Sequence, residues 1–260
     1  MQSNMKEFTD TQLHQENSYH IPYHYGSLIS KEDMLNNFSQ HARYQNVIKR
    51  IKEFKNNSIK VLDIGCGDGR FAYDLSKEED LKIEYTGIDY SNNALNFAKV
   101  FNPHYRFINI DLSKFSLDSK NKFDVIVLIE VIEHIQPERL NDFLTNVSLL
   151  LKEDGITIIT CPSKNIRIPK KHYQHFTEHS LRETLAKHFN SIQISGYFNK
   201  NKFLKLVISL IIYLPHLLYL SKRRNAFFNL SIKLSRNFFA SFMNESNYKN
   251  ALGLISVCRK

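Results

Sequence analysis

The most constraining feature of the chain is VLDIGCGDGRF at residues 61–71, where an apolar run passes directly into three closely spaced glycines. The run IKVLDIG at 59–65 predicts a buried strand, and a helical pattern follows at 69–78. Glycine tolerates positive φ and leaves room for a ligand against the backbone, which a tight strand-to-helix turn needs. The segment predicts an α/β fold with a ligand at this turn.

Further apolar runs alternate with helical patterns along the chain. The other predicted strands lie at 83–89, 106–112, 122–130, 156–162, 191–197 and 252–258, and the other predicted helices at 36–55, 91–101, 137–151 and 177–189. Unbroken apolar runs such as KFDVIVLIE are typical of strands buried on both faces of a parallel sheet. The alternation predicts a doubly wound sheet of seven strands with helices on both faces.

The same pattern divides the chain into four segments. Residues 36–198 form the predicted core, and residues 250–260 supply its last strand. Residues 1–35 are predicted to be an arm that closes over a substrate, since NSYHIPYHYGSLIS is rich in aromatic side chains that stack on sugars and rings. An arm that only covers the sheet is the alternative. Residues 199–249 interrupt the alternation and predict a helical insertion before the last strand.

Carboxylates fall at the ends of three predicted strands, at Asp63, Asp89 and Asp111. Open α/β sheets bind ligands at the carboxyl ends of their strands. A carboxylate at Asp89 can accept hydrogen bonds from both hydroxyls of a ribose, and Asp111 is placed to meet the adenine edge. We therefore expect a nucleoside at this edge of the sheet.

The acidity of this edge selects among nucleoside ligands. Residues 61–133 carry 13 acidic and 8 basic side chains. The pyrophosphate of a dinucleotide would be repelled by Asp63, Asp68 and Glu130, and the third glycine of the dinucleotide fingerprint is replaced by Arg70. S-adenosylmethionine has no phosphate and carries a positive sulfonium and an ammonium. A carboxylate-rich cleft therefore favours S-adenosylmethionine over NAD.

The segments VLDIGCGDG, TGIDYS, INIDL, FDVIVLIEVIEHI and CPS resemble the successive motifs of class I S-adenosylmethionine-dependent methyltransferases. They are most similar to the small-molecule branch that includes ubiquinone-biosynthesis O-methyltransferases and bacterial sugar methyltransferases. The resemblance covers residues 40–198 and the last strand. It implies a Rossmann-like seven-stranded methyltransferase sheet and methyl transfer to a small polar acceptor, a hydroxyl of a sugar, glycan or lipid-linked intermediate.

The resemblance also implies a cofactor role for each matching position. It places Asp63, Gly65, Cys66 and Gly67 around the methionine part, Asp89 and Tyr90 at the ribose, and Asp111 and Leu112 beside the adenine. Arg43 matches an arginine that pairs with the cofactor carboxylate in that branch. Arg50 and a plain surface salt bridge are the alternatives for Arg43. Glu130, at the end of the fourth strand, completes the expected cofactor-binding set.

Groups able to take a proton from a hydroxyl acceptor cluster after the fourth strand and in the loop around His172 and His175. His134 is predicted to be the general base, with Glu133 and His175 as the other catalytic residues. Methyl transfer is an in-line displacement, so the enzyme has mainly to align the nucleophile and exclude water. A structural hydrogen-bonded pair of Glu133 and His134 is the alternative.

The ExxEH pattern at Glu130, Glu133 and His134 permits a second interpretation. With His175, these side chains could hold a divalent metal, and the pattern resembles metal-dependent RNA 3′-end 2′-O-methyltransferases of the Hen1 type. The pattern also occurs in ubiquinone-type enzymes, and HYQHFTEHSL does not match the downstream signature of the RNA enzymes. We therefore assign no metal ligands, and nucleic acid is the second choice of substrate.

The positive charge of the chain is concentrated in its last quarter. Residues 196–260 carry 11 basic side chains and 1 acidic one, whereas the whole chain has a formal net charge of +9. Residues 206–221 are uncharged but contain a proline and are shorter than the roughly 20 residues of a membrane span. An apolar stripe follows at helical spacing, at Phe227, Leu230, Leu234, Phe238 and Phe242. Residues 203–243 are therefore predicted to contact a membrane interface, a buried lid or dimer surface being the alternative.

The cysteines bear on the cellular location. Cys66, Cys161 and Cys258 lie far apart and form no CxxC pair, so neither a disulfide framework nor a zinc cluster is expected. The N-terminal residues show no basic segment followed by an apolar run, which a signal peptide would have. The expected location is the cytoplasm, with peripheral contact at the inner face of the membrane. The oligomeric state is not predicted.

Overall fold

The computed structural model describes residues 8–25, 31–54, 58–114, 122–199, 230, 233–235 and 247–260, with the backbone alone for 31–36 and 199. The helices are α1 (Asp10–Ser18), α2 (Lys31–Lys52), α3 (Arg70–Leu75), α4 (Asn92–Phe101), α5 (Pro137–Leu150) and α6 (Glu178–Leu185). The strands are β1 (Ile59–Ile64), β2 (Ile83–Asp89), β3 (Arg106–Asn109), β4 (Phe123–Ile129), β5 (Leu151–Pro162), β6 (Ser191–Asn199) and β7 (Ala251–Arg259).

The seven strands form one sheet in the order β3-β2-β1-β4-β5-β7-β6. The first five are parallel neighbours, whereas β7 lies antiparallel between β5 and β6. The predicted Rossmann-like seven-stranded sheet is therefore confirmed. The chain order reverses between β1 and β4, and such a switch point opens a crevice at the carboxyl ends of the strands.

Helices cover both faces of the sheet, because successive side chains of the central strands point to opposite sides. In β4, Val125 and Val127 pack in the cluster that contains α2 and α3. Ile126 and Leu128 pack in the cluster that contains α5 and α6. All four side chains are fully buried, which explains the unbroken apolar run of this strand.

One helix was not predicted. The side chain of Thr9 accepts a hydrogen bond from the N–H of Gln12, and the side chain of Gln12 accepts one from the N–H of Thr9. This capping box starts α1, and its T-x-x-Q pattern is visible in the sequence. In addition, α2 begins at Lys31, so the boundary expected between residues 35 and 36 falls inside a helix.

The predicted insertion at 199–249 lies mostly outside the described residues, as do the uncharged run at 206–221 and most of the apolar stripe. Membrane contact through 203–243 therefore stays a prediction. In the part of the chain that the structure describes, no helix combines the length and the hydropathy that crossing a membrane requires.

Candidate functional site

A cavity of about 840 Å³ opens at the carboxyl ends of the central strands. The predicted site residues in its wall are Arg43, Gly65, Asp89, Tyr90, Asp111, Leu112, Glu130, Glu133 and His134. Side chains of the arm, residues 8–25, form the opposite wall. The strand ends thus bring most of the predicted site together.

The glycine turn has the conformation that its residue types predict. Gly65, Gly67 and Gly69 have φ values of 75°, 55° and 77°, which side chains disfavour. A Cβ on Gly65 would lie 2.7 Å from Val131, and a Cβ on Gly67 would lie 2.7 Å from the hydroxyl of Tyr19. The turn is therefore packed closely on both sides, and only a bare backbone fits.

Asp89 ties the end of β2 to this turn. Its two oxygens accept the N–H groups of Gly67 and Ser91, each at 2.9 Å. Burial raises the pKa of Asp89 to about 6, although both hydrogen bonds oppose that rise. Each carboxylate oxygen has a further lone pair, so Asp89 can still accept ribose hydroxyls.

The arm contacts the residues predicted for the ribose and the adenine. Gln12 Nε2 donates to Asp111 Oδ2 at 2.8 Å, and the hydroxyl of Tyr90 donates to Gln15 Oε1 at 2.8 Å. The arm was expected to close over the acceptor. Its described part contacts the side of the cavity that was predicted for the cofactor, and closure over the acceptor stays a prediction.

Asp68 holds the arm to the glycine turn. Its carboxylate is fully buried, at 0% exposure, and accepts the N–H of His24 at 2.9 Å and the Nδ1–H of His24 at 3.0 Å. Sequence reasoning treated Asp68 only as a negative charge. No local pattern reveals this contact, because it joins positions 44 residues apart.

Four predicted site residues, Asp63, Cys66, Gly67 and His175, are not among the described residues that line the cavity. Asp63 accepts a hydrogen bond from the hydroxyl of Tyr85, and burial raises the pKa of Asp63 to about 7. Burial also raises the pKa of the Cys66 thiol. Asp63 therefore supports the turn from inside the sheet.

Arg43 lies at the cavity, where its partner is Glu130. Arg43 Nε is 3.5 Å from Glu130 Oε1, and both side chains line the cavity wall. Arg50 instead donates to Asn46 and Ser195, outside that wall. Of the two arginines, only Arg43 is in reach of a ligand in this cavity.

Glu133, His134 and His172 converge on the other side of the cavity. One ligand atom from each residue lies within 4.8 Å of the other two. Glu133 is fully buried at 0% exposure, and neither of its oxygens has a hydrogen-bond partner among the described residues. Burial raises its pKa well above the ordinary value, and the negative charge of Glu130 adds to the rise. An unpaired buried carboxylate marks a place for a cation or a proton donor.

Backbone carbonyls determine which nitrogen of each histidine carries hydrogen. His134 Nδ1 lies 2.9 Å from the carbonyl of Lys171, and His175 Nδ1 lies 3.2 Å from the carbonyl of Ile166. A carbonyl only accepts, so both Nδ1 atoms are protonated. His175 Nε2 then accepts from His172 Nδ1 at 2.8 Å. The free lone pairs of His134 and His172 are therefore on Nε2.

Burial keeps these two rings neutral. It lowers the pKa of His134 to about 4 and the pKa of His172 to about 3. At neutral pH both rings therefore keep a free lone pair that can bind a cation. His175, which was predicted to be catalytic, is buried, contacts Nδ1 of His172 and is not among the described residues that line the cavity. His172 was left out of the predicted set, although the same histidine-rich loop drew attention to it.

A family model for the Methyltransferase domain matches residues 55–208, which is more than half of the chain. The ubiquinone biosynthesis O-methyltransferase of Pelagibacter ubique (strain HTCC1062) is 35% identical over 127 residues, which cover 45% of this chain and 50% of that protein. The chain thus spans about half the length of the curated relatives it matches.

Two solved structures show the same fold. A TehB-like SAM-dependent methyltransferase from Corynebacterium glutamicum has a TM-score of 0.52 at 17% identity, covering 83% of this chain and 87% of that chain. The methyltransferase domain of a bacterial Hen1 protein has a TM-score of 0.56 at 17% identity, covering 86% of this chain and 100% of that chain. At such identities the likeness is one of fold alone.

Proposed function

Because the chain belongs to the Methyltransferase domain family, we propose that it transfers the methyl group of S-adenosylmethionine to a hydroxyl of a small polar acceptor. The proposed acceptor is a sugar, a glycan or a lipid-linked intermediate. One observation carries the proposal: a single cavity joins a carboxylate-lined nucleoside side to a cluster of Glu133, His134 and His172. The chain's similarity to O-methyltransferases of ubiquinone biosynthesis favours oxygen as the atom methylated.

On the cofactor side, the bound S-adenosylmethionine supplies a methyl group activated by its positive sulfonium. In this proposal Asp89 accepts the ribose hydroxyls and Asp111 meets the adenine; both side chains line the cavity, which supports these roles. Arg43 and Glu130 offer opposite charges to the amino-acid end. The arm covers these groups and excludes water, which strengthens every charge interaction inside the cavity.

On the acceptor side, the depressed pKa of His134 changes its expected role. A general base is most effective when its pKa lies near the working pH, and the pKa of His134 is lowered to about 4. A neutral imidazole with a free Nε2 is, however, a good ligand for a cation. The unpaired carboxylate of Glu133 and the Nε2 atoms of His134 and His172 form a mixed oxygen and nitrogen donor set, which fits a divalent metal.

We therefore extend the proposal to a divalent cation held by Glu133, His134 and His172. When bound, such a cation lowers the pKa of a hydroxyl that it coordinates. Glu133, His134 and His172 line the same cavity as the proposed cofactor residues, so an acceptor bound at the cluster would lie beside the cofactor. The contact of His175 with Nδ1 of His172 supports the tautomer of His172 that leaves Nε2 free. No metal ligands were assigned from the sequence, so this cluster replaces that expectation as a proposal.

The test follows transfer of a labelled methyl group from S-adenosylmethionine to three probes: 3,4-dihydroxybenzoate, galactose and a short RNA. We expect a small hydroxyl acceptor to be methylated, activity to fall at least about tenfold in EDTA, and Mn²⁺ or Mg²⁺ to restore it. Methylation of RNA alone would favour the Hen1-type alternative. Full activity in EDTA would contradict the cation.

Calorimetric titration with Mn²⁺ gives a readout that does not depend on turnover. Wild-type protein is expected to bind the ion, and His172→Ala and Glu133→Gln are expected to bind it at least about tenfold more weakly. His179→Ala is the matched control, since His179 is an exposed histidine that pairs with Glu183 and is not among the described residues of the cavity wall. Equal Mn²⁺ affinity in all four proteins would refute the assignment of the cluster.

A further inference from the structure

Glu130 has an unusual backbone conformation at the edge of the cavity. It follows β4 directly with a φ of 57°, in the left-handed region that side chains disfavour. Such strain persists where the surroundings hold the residue in place, and it concentrates at functional sites. Within the described residues, Phe198 is the other non-glycine residue with positive φ, at 60°. Phe198 is adjacent to Tyr197, whose side chain contacts Glu130.

Three donors converge on one oxygen of Glu130. The hydroxyl of Tyr197 donates to Oε1 at 2.7 Å, and the hydroxyl of Thr160 donates to it at 3.1 Å. Arg43 Nε lies 3.5 Å from the same oxygen and donates to the hydroxyl of Tyr197 at 3.3 Å. The hydroxyl of Tyr197 is therefore hydrogen-bonded to both the carboxylate of Glu130 and the guanidinium of Arg43.

Packing and charge both fix the position of Tyr197. The side chain is 1% exposed, and its ring occupies the space that a Cβ on Gly253 would need. Burial and the negative charge of Glu130 raise the pKa of Tyr197 well above its ordinary value. The hydroxyl therefore keeps its proton and remains a donor to Glu130 at any ordinary pH.

We propose that Tyr197 is a positioning residue that holds Arg43 and Glu130 as a matched pair for the amino-acid end of the cofactor. The inference rests on the proposed function, because S-adenosylmethionine carries one carboxylate and one ammonium at that end. Arg43 offers a positive charge to the first, and Glu130 offers a negative charge to the second.

The contacts of Tyr197 explain how the pair stays available to a ligand. They occupy Nε of Arg43 and Oε1 of Glu130, so among the described residues the terminal guanidinium nitrogens and Oε2 are left for the cofactor. Arg43 and Glu130 already lie within ion-pair distance, at 3.5 Å; without the hydroxyl that both contact, the two side chains would close on each other and offer less charge to a ligand. Tyr197 is not among the described residues of the cavity wall, so it acts through Arg43 and Glu130 and touches neither the methyl group nor the acceptor.

The test compares two ligands that differ only at the amino-acid end. Calorimetry would measure the Kd of S-adenosylhomocysteine and of 5′-methylthioadenosine, which lacks that end, for wild type and Tyr197→Phe. We expect the Kd of S-adenosylhomocysteine to rise roughly tenfold and the Kd of 5′-methylthioadenosine to change by less than about twofold. Tyr105→Phe, which removes a tyrosine hydroxyl outside the cavity wall, is expected to change neither.

If Tyr197 serves packing alone, Tyr197→Phe would weaken the binding of both ligands equally. That result, or no change in the Kd of either ligand, would overturn the inference and leave the proposed function intact. A wild-type protein that binds neither ligand would overturn both. If thermal unfolding shows that Tyr197→Phe does not fold, Thr160→Val removes another donor to the same oxygen and keeps the side-chain volume. A selective loss of S-adenosylhomocysteine binding in Thr160→Val would then support the inference, and an equal loss for both ligands would refute it.

Discussion

Replacing Asp89 by asparagine tests the nucleoside side of the cavity most directly. The carboxylate now accepts the N–H groups of Gly67 and Ser91, each at 2.9 Å. Asparagine keeps the shape and one acceptor oxygen, but it removes the charge. Its amide N–H₂ also faces one of the two backbone donors, so either the turn shifts or the side chain rotates. Both responses withdraw acceptor capacity from a ribose.

The expected magnitude follows from the number of bonds to the charged group. A hydrogen bond to an ionised partner contributes about 1.5–3 kcal/mol net. Asp89→Asn retains one acceptor, so we expect the loss of one such bond. The Kd of S-adenosylhomocysteine should therefore rise roughly 10- to 150-fold.

Calorimetric titration at a pH well above the pKa of Asp89 would measure this change. Asp124→Asn is the matched control, because Asp124 is also buried and accepts from Lys60 N and Lys152 Nζ, both at 2.8 Å, away from the cavity. The control is expected to lose stability and to retain cofactor affinity. Asp89→Asn with a Kd within about twofold of wild type, or an equal loss in Asp124→Asn, would refute the reasoning.

The remaining predictions concern stability and the arm. Burial raises the pKa of Asp63 from 3.8 to about 7, so between these pH values the folded protein holds a proton that the unfolded chain releases. The free energy of unfolding should therefore fall by roughly a few kcal/mol as pH rises through this range. Chemical denaturation should show a smaller fall in Asp63→Asn. His24→Ala removes the Nδ1–H donor to Asp68, so stopped-flow measurement should show S-adenosylhomocysteine leaving about fivefold faster than from wild type. His14→Ala, on the exposed side of α1, is the control. Equal dissociation rates in the two variants would contradict a role of the His24–Asp68 contact in retaining the ligand.

The fold was predictable because each strand has its own local signal. The central strands are continuous apolar runs with a turn after each, and their alternation with helices leaves one class of sheet. The antiparallel direction of β7 has no such signal, since the residue types of a buried strand do not specify its direction. The missed helix α1 is a different case, because the capping pair Thr9 and Gln12 is a local pattern that was available.

The grouping of carboxylates at one edge of the sheet was predictable for a related reason. Asp89 is the last residue of β2 and Asp111 lies two residues after β3, so the order of elements alone brings them to one edge. The contact of Tyr197 with Glu130 joins positions 67 residues apart, and no periodicity connects them. Long-range contacts of this kind decide which charges are neutralised, and they depend on packing that only the folded chain defines.

The hydrogen bonding of the histidines was not predictable from the sequence, because it depends on which backbone carbonyl each ring contacts. His172 rather than His175 lines the cavity, and the carbonyl of Ile166 fixes the tautomer of His175 and through it that of His172. The loop that carries these rings is itself tied to the cluster, since the N–H of Tyr173 donates to the carbonyl of Glu133 at 2.8 Å. This backbone hydrogen bond links the loop of His172 to the segment of Glu133. Residue types near the fourth strand were enough to predict that acid and imidazole groups meet there, whereas the nitrogen of each ring that carries hydrogen follows from contacts that only the folded chain defines.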